Sequence, residues 1–257
     1  MLSDRPLPRS FYARPVLSVA RDCIGKHLIH DTAAGRLVGR IVEAEAYRGP
    51  EDRAAHSFGG RRTARTEVMF GPPGYAYVFL VYGLHWHFNL VTTAPGAPHA
   101  VLIRALEPLE GLELMAERRA LPARERALTN GPGKLCHAFA IDRSAYGADL
   151  TRGPLFLSEG RSEGARQRVL RAPRIGIDYA GEWATRPWRF YDPASPYVSR
   201  VPRARAPRAG PAAAPASATR AASAAPEVRP PAARRPPRAA GARARAQTRS
   251  KCRDPGS

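Results

Sequence analysis

The sequence predicts an α+β fold: one mixed domain over residues 1–200, with a curved, mainly antiparallel sheet, flanking helices and a protruding β-hairpin. Three observations carry this expectation. Residues 26–47 and 75–91 each read as two strand-like runs joined at glycine, the pattern of a hairpin. Ala100–Leu106 is a further apolar run of strand length. From residue 201 onward the composition shifts to Ala, Pro, Arg, Ser and Gly, with no Leu, Ile, Phe, Tyr or Trp. Such a segment buries too little apolar surface to offset its ordering entropy, so 201–257 is expected to be a disordered basic tail.

In chain order, the Pro-rich residues 1–10 read as an arm, and Ser18 as the cap of a short helix ending at Gly25. Residues 26–32 form a strand, Ala33-Ala34-Gly35 a turn, and 36–47 the returning strand. Along it the residues alternate: Ile41, Glu43, Glu45 and Tyr47 on one face, Val42, Ala44 and Ala46 on the other. The strand breaks at Gly49-Pro50, and a long Gly-, Pro- and Arg-rich loop, 48–74, delivers His56. A loop of that length within a domain is usually functional or mobile. In the second hairpin Tyr75, Tyr77, Phe79 and Val81 share a face, and the chain turns near Tyr82-Gly83-Leu84. Pattern alone favours Tyr82 packing back across the turn over its display at the tip.

Pro108 suits the first turn of a helix carrying Leu109, Leu112 and Met115 on one stripe. Asn130-Gly-Pro-Gly-Lys134 leads into a helix at Leu135–Ile141, a start that either binds an anion beside Lys134 or is an ordinary glycine-rich entry. It lacks the spacing of a P-loop. Residues 150–173 read as loop and sheet edge, Pro173–Ile177 as a strand and Tyr179–Trp183 as a tight connection. Trp183, Trp188 and Phe190 are expected in the core.

The net charge is +19, of which +11 falls in 201–257 and +8 in 1–200. A folded part that is itself basic points to a polyanion such as nucleic acid, or to an anionic membrane surface. Cys23, Cys136 and Cys252 are odd in number and lack CxxC spacing, which argues for a reducing, intracellular setting and against a zinc site. The first residues show no secretion signal, and the longest apolar run, Tyr77–Leu84, is too short to span a bilayer.

The residues that carry chemistry gather in 41–57. Two carboxylates, Glu43 and Glu45, stand near Tyr47, with His56 on the loop beyond. A carboxylate among apolar groups is costly unless it is paired or its pKa rises, and a raised pKa suits a general base. Spacing alone favours the plainer alternative of a solvated carboxylate face and a surface histidine. His85 and His87, two apart on a strand, are a weak metal-like pattern without a clear third ligand.

Five ordered stretches resemble the alkyladenine (3-methyladenine) DNA glycosylases: 41–57, 77–89, 101–113, 130–141 and 174–191. The resemblance implies an enzyme that flips alkylated or deaminated purines out of duplex DNA. It then hydrolyses the N-glycosidic bond with a glutamate-activated water and leaves an abasic site. Glu45 falls on the water-activating position. Arg104 falls on the arginine that supports it, and Ile175 on a residue whose carbonyl holds the water. Tyr47, His56 and Phe79 fall on the base pocket, and Asn89 on a residue that crowds the exocyclic amine of guanine. Tyr82 falls on the tyrosine that intercalates from the minor groove. Arg61, Arg62, Arg65 and Lys134 are candidates for holding phosphates. Phe79 departs from the tyrosine of the vertebrate enzymes, and Leu84 and His85 from the residues beside the intercalating tyrosine; these differences bear on substrate range and wedge shape. The resemblance calls for no metal or other cofactor, and the expected partner is double-stranded DNA carrying damaged purines, met by a monomer away from membranes. A non-catalytic binder of damaged or single-stranded nucleic acid would share the aromatic hairpin and the basic surface. A metal-dependent hydrolase would use His56, His85, His87 and the glutamates.

Truncation after Arg200 tests the tail. Thermal stability and single-turnover rate at saturating enzyme are expected to stay unchanged. The slope of log K against log salt is expected to flatten, by roughly 0.9 for each phosphate that the tail neutralises. An identical slope for both proteins would remove the tail from DNA binding.

Overall fold

The computed structural model describes residues 5–160 and 168–199; the predicted tail at 201–257 lies outside them. The elements run α1 (Arg9–Tyr12), α2 (Val16–Asp22), β1 (His27–Thr32), β2 (Gly35–Arg48), β3 (Ala76–Val81), β4 (His85–Thr92) and β5 (His99–Glu110). There follow α3 (Leu112–Arg119), α4 (Pro132–Ala138), β6 (Leu155–Ser158), β7 (Leu170–Ala172) and β8 (Arg189–Tyr191). The strands join in one antiparallel sheet of order β3-β4-β5-β2-β1-β6, with β8 paired to both β2 and β7. The α+β expectation holds.

β2 is the axis of the sheet. Along one edge it pairs with β5; along the other it pairs first with β1 and then, from Glu43 to Glu45, with β8. Its register against β5 slips on both sides of Glu43, where neither Val42 nor Arg104 has a direct partner. A bulge of this kind re-aims side chains. The simple alternation expected across 41–47 is therefore broken. Ile41 joins Ala44 and Ala46 in the main core, while Val42 packs with Ala105, Ala172 and Tyr191 in a separate cluster.

Several boundaries differ from expectation for local reasons. α2 starts at Val16 behind Pro15, so Ser18 lies inside the helix rather than at its cap. Leu7 is buried and its N–H donates to the Leu157 carbonyl, so the arm is already docked there. β5 continues through Pro108 to Glu110, and Pro108 faces Gly39 at another register shift, where a missing N–H is tolerated. The helix then starts at Leu112; Met115 is buried, but Leu109 is exposed on the strand end. α4 opens at Pro132, earlier than expected, because proline suits a helix start. Pro173–Ile177 is not a strand: β7 ends at Ala172 and the chain turns at Gly176, whose φ is +76°. Trp188 and Phe190 are core residues and Trp183 packs half-buried against them.

A buried ion pair fastens the long loop to this sheet. Arg174 donates to both carboxylate oxygens of Asp52 (2.5 and 2.9 Å) and to the carbonyls of Ala46 and Trp183. Both side chains are fully buried. Asp52 also accepts the Arg48 and Ala54 N–H groups, so the carboxylate shapes the turn that leads to His56. The guanidinium lies 4.7 Å from the centre of the Tyr47 ring and 5.1 Å from that of Trp188.

Asp52→Asn leaves that guanidinium buried without its counter-charge, a change that typically costs roughly 3–5 kcal/mol. For a domain of this size the melting temperature is expected to fall by on the order of 10 °C. The double variant Asp52→Asn, Arg174→Met is expected to lose less. A melt of Asp52→Asn superimposable on wild type would deny the pair its anchoring role.

Candidate active site

The bulge in β2 brings both glutamates inside, where each is fully buried. The solvated-face alternative is thereby overturned. Their roles separate by partner. Glu43 accepts from Arg189 Nη1 (2.9 Å), Arg104 Nε (3.2 Å), Ser199 N (2.7 Å) and Ser199 Oγ (3.0 Å). It is enclosed by protein donors. Glu45 accepts from Ile175 N on Oε1 (2.8 Å), and from Tyr47 Oη (2.9 Å) and Arg104 Nη1 (3.3 Å) on Oε2. Arg104 thus bridges the two carboxylates. Burial lowers its proton affinity, but Glu45 and Glu43 outweigh this and raise its pKa. Ile175 reaches Glu45 through its N–H, a contact that the sequence did not indicate.

Tyr47, Arg104 and Ile175 also line a cavity of about 340 Å³. Glu45 itself stands behind that wall. Burial and Glu45 together raise the Tyr47 phenol pKa well above normal, so the hydroxyl remains a donor to the carboxylate.

The second hairpin supplies the aromatic side. Tyr77 and Phe79 sit two apart on β3 with their rings stacked at 5.2 Å. His56 meets Phe79 edge-on at 4.5 Å, and its Nδ1 is 2.7 Å from Tyr77 Oη. Burial, then Arg65 and Arg61, push the His56 pKa down to about 4, so the ring is neutral near pH 7. Asn89 is buried on β4 and donates to the Tyr77 carbonyl (3.1 Å), which fixes it in the wall. These residues, drawn from distant parts of the sequence, line the same cavity.

At the cavity mouth Tyr82 is 93% exposed with φ +52°, so the packed-turn expectation fails. The hairpin turn, Tyr82-Gly83-Leu84, projects its side chains outward because Tyr82 and Gly83 both adopt left-handed backbone. Tyr179, 73% exposed, also lines the mouth and was not singled out from sequence. Arg61 and Arg62 are exposed nearby in chain; Arg62 pairs with Glu67 at 2.5 Å. Lys134 is half-buried and donates to Asn130 Oδ1 (2.8 Å) at the start of α4. Arg65 lies over the Phe79 ring and lines the cavity, rather than facing only outward.

Sequence reasoning missed Arg174, Asp52 and Arg189. All three lie within the family-like stretches, but an acid among other charges (Glu51-Asp52-Arg53) gives no local sign of burial. His87, which in the sequence gives only a weak metal-like pattern with His85, lines the cavity beside Phe79. Among the described residues, no three or more His, Cys, Asp or Glu side chains gather as a possible metal site, and no helix is long and apolar enough to cross a membrane.

The methylpurine-DNA glycosylase family matches residues 10–196. A Desulfitobacterium hafniense protein, provisionally named a 3-methyladenine DNA glycosylase, is 52% identical over 200 residues, covering 75% of this chain and 98% of its own. A similarly named Methanocella arvoryzae protein is 52% identical over 195 residues, covering 76% and 96%. A third, from Bacillus cereus, is 46% identical over 201 residues, covering 75% and 98%. The chain belongs to the methylpurine-DNA glycosylase family and is a monofunctional DNA glycosylase of the 3-methyladenine type.

Proposed function

We propose that this glycosylase flips a damaged purine into the 340 Å³ cavity and cleaves its N-glycosidic bond with a water activated by Glu45. The observation that carries this is the buried Glu45 carboxylate, held by three donors directly behind the cavity wall. A carboxylate offers about four lone-pair sites, so one remains for a water. Attack forms a bond from the water oxygen to C1′ while the C1′–N bond breaks and its electron pair leaves with the base. Glu45 takes the water proton. Its negative charge also stabilises the oxocarbenium-like sugar, with Tyr47, Arg104 and the Ile175 N–H holding it in place.

The pocket suits an alkylated purine. Alkylation at N3 or N7 makes the base cationic, and Tyr77, Phe79 and Tyr47 offer ring faces that attract cations by roughly 0.5–2 kcal/mol. His56, neutral near pH 7, adds no positive charge of its own. Tyr82 fills the vacated stack and offsets part of the flipping cost. Arg61, and Arg62 once released from Glu67, hold phosphates in this reading without reading sequence. The monofunctional reaction fits the lysines: Lys26 pairs with Glu159 and Lys134 bonds Asn130, and neither lines the cavity. The enzyme acts as a monomer inside the cell, where damaged duplex DNA is its partner. A binder with an inert pocket would have no use for a carboxylate and guanidinium network behind its wall.

Glu45→Gln is expected to keep lesion-DNA binding while losing at least ~100-fold in single-turnover rate, the usual worth of a positioned general base. Near-normal turnover would reject the mechanism. Tyr82→Ala is expected to fold normally, since the side chain is exposed, but to bind and excise more weakly from duplex. The loss should shrink where the lesion is already mispaired. An unchanged rate in both contexts would remove Tyr82 from flipping.

A further inference from the structure

The cavity holds a second imidazole that the mechanism above does not use. His87, on β4, lies opposite Phe79 on β3, and their rings approach to 5.5 Å. It is half-buried and lines the cavity. His56 is tied to Tyr77, whereas neither ring nitrogen of His87 has a hydrogen-bond partner among the described residues. A polar ring placed partly out of water gains from a partner, and the open side of this one is the base-binding space.

We propose that His87 is a specificity-determining residue whose ring N–H donates a hydrogen bond to a neutral flipped purine, such as a deaminated adenine, as that base departs. The inference rests on the glycosylase function proposed above and names the substrate class that the residue serves. A cationic alkylated base leaves as a neutral molecule and is held by ring faces. A neutral purine takes the same bonding pair but leaves as an anion, and therefore gains more from a donor at its edge. Burial, then Arg104, His85 and His56, push the His87 pKa down to about 4, so near pH 7 the ring carries one donor and one acceptor and no charge. It can therefore serve the neutral base without repelling the cationic one. No proton transfer is required of it.

The test compares wild type, His87→Phe and His87→Gln in single-turnover excision from duplexes carrying hypoxanthine or 7-methylguanine. Binding of a duplex with a tetrahydrofuran abasic analogue is measured beside it. His87→Phe keeps a ring against Phe79 and loses both nitrogens. The expected result is a loss of about 10-fold on hypoxanthine, the worth of one ordinary hydrogen bond. The loss on 7-methylguanine should be under about 3-fold, well below that of one such bond. Abasic-analogue binding should be unchanged, and His87→Gln, which keeps an N–H donor, should recover part of the hypoxanthine rate. Equal losses on both bases, no loss on either, or weakened abasic-analogue binding would each overturn the proposal, the last by making the role structural. A wild type that excises 7-methylguanine but not hypoxanthine overturns it also. A wild type that excises neither base overturns the inference, and one that also leaves 3-methyladenine in alkylated DNA overturns the function proposed above with it.

Discussion

Arg104 lies between two buried carboxylates, and the site depends on that placement. Burying any one of these groups alone would cost several kcal/mol, so each requires the others. Glu43 is satisfied by Arg189, Ser199 and Arg104 Nε, which leaves Arg104 Nη1 for Glu45. Glu43 is thus the anchor that aims the guanidinium. The geometry requires the double slip in register around Glu43, because a regular ladder would leave no unpaired Arg104 between Ala105 and Ile103. β8 completes the arrangement by pairing with β2 across Glu43–Glu45 and presenting Arg189.

Two fixed walls are assembled on this anchor. Ile175 caps Glu45 through a backbone N–H, and the neighbouring Arg174 locks onto Asp52 below the loop that carries His56. One short segment therefore positions the carboxylate and the pocket histidine together. The hairpin supplies the opposite wall through Tyr77, Phe79, His87 and Asn89, which are held by ladder pairing rather than by ions. A charged wall beside an aromatic one separates the two demands of the proposed reaction: polarising water on one side and holding a flat base on the other.

Much of this was legible in the sequence where contacts are local. The two hairpins follow from alternation and glycine turns, and Gly49-Pro50 does end β2. What failed was set by partners far away. Glu43 and Glu45 look solvated until Arg104 and Arg189, 61 and 146 residues from Glu43, are seen to meet them. Pro108 reads as a helix start because proline is rare within strands, yet a register shift opposite Gly39 accommodates it. Asp52 reads as one more surface charge until Arg174, 122 residues on, closes over it. The family-like stretches pointed to the pocket residues, but not to the Ile175 N–H or to the wall position of His87.

Tyr82 shows how the two kinds of constraint diverge. A left-handed backbone is unfavourable for a tyrosine, and a ring left 93% exposed recovers nothing from burial. A turn selected only for stability would carry Asn or Gly at that position. The same hairpin buries Tyr77 and Phe88 almost completely, so the sheet has no need of the Tyr82 ring. Its display beside the cavity mouth, with Leu84 also exposed on the turn and Tyr179 at the same mouth, leaves apolar surface where the proposed flipping requires a wedge. The fold tolerates the cost at the tip because the rest of the hairpin is paired and packed. The tip is therefore free to be shaped by what it touches rather than by what holds it.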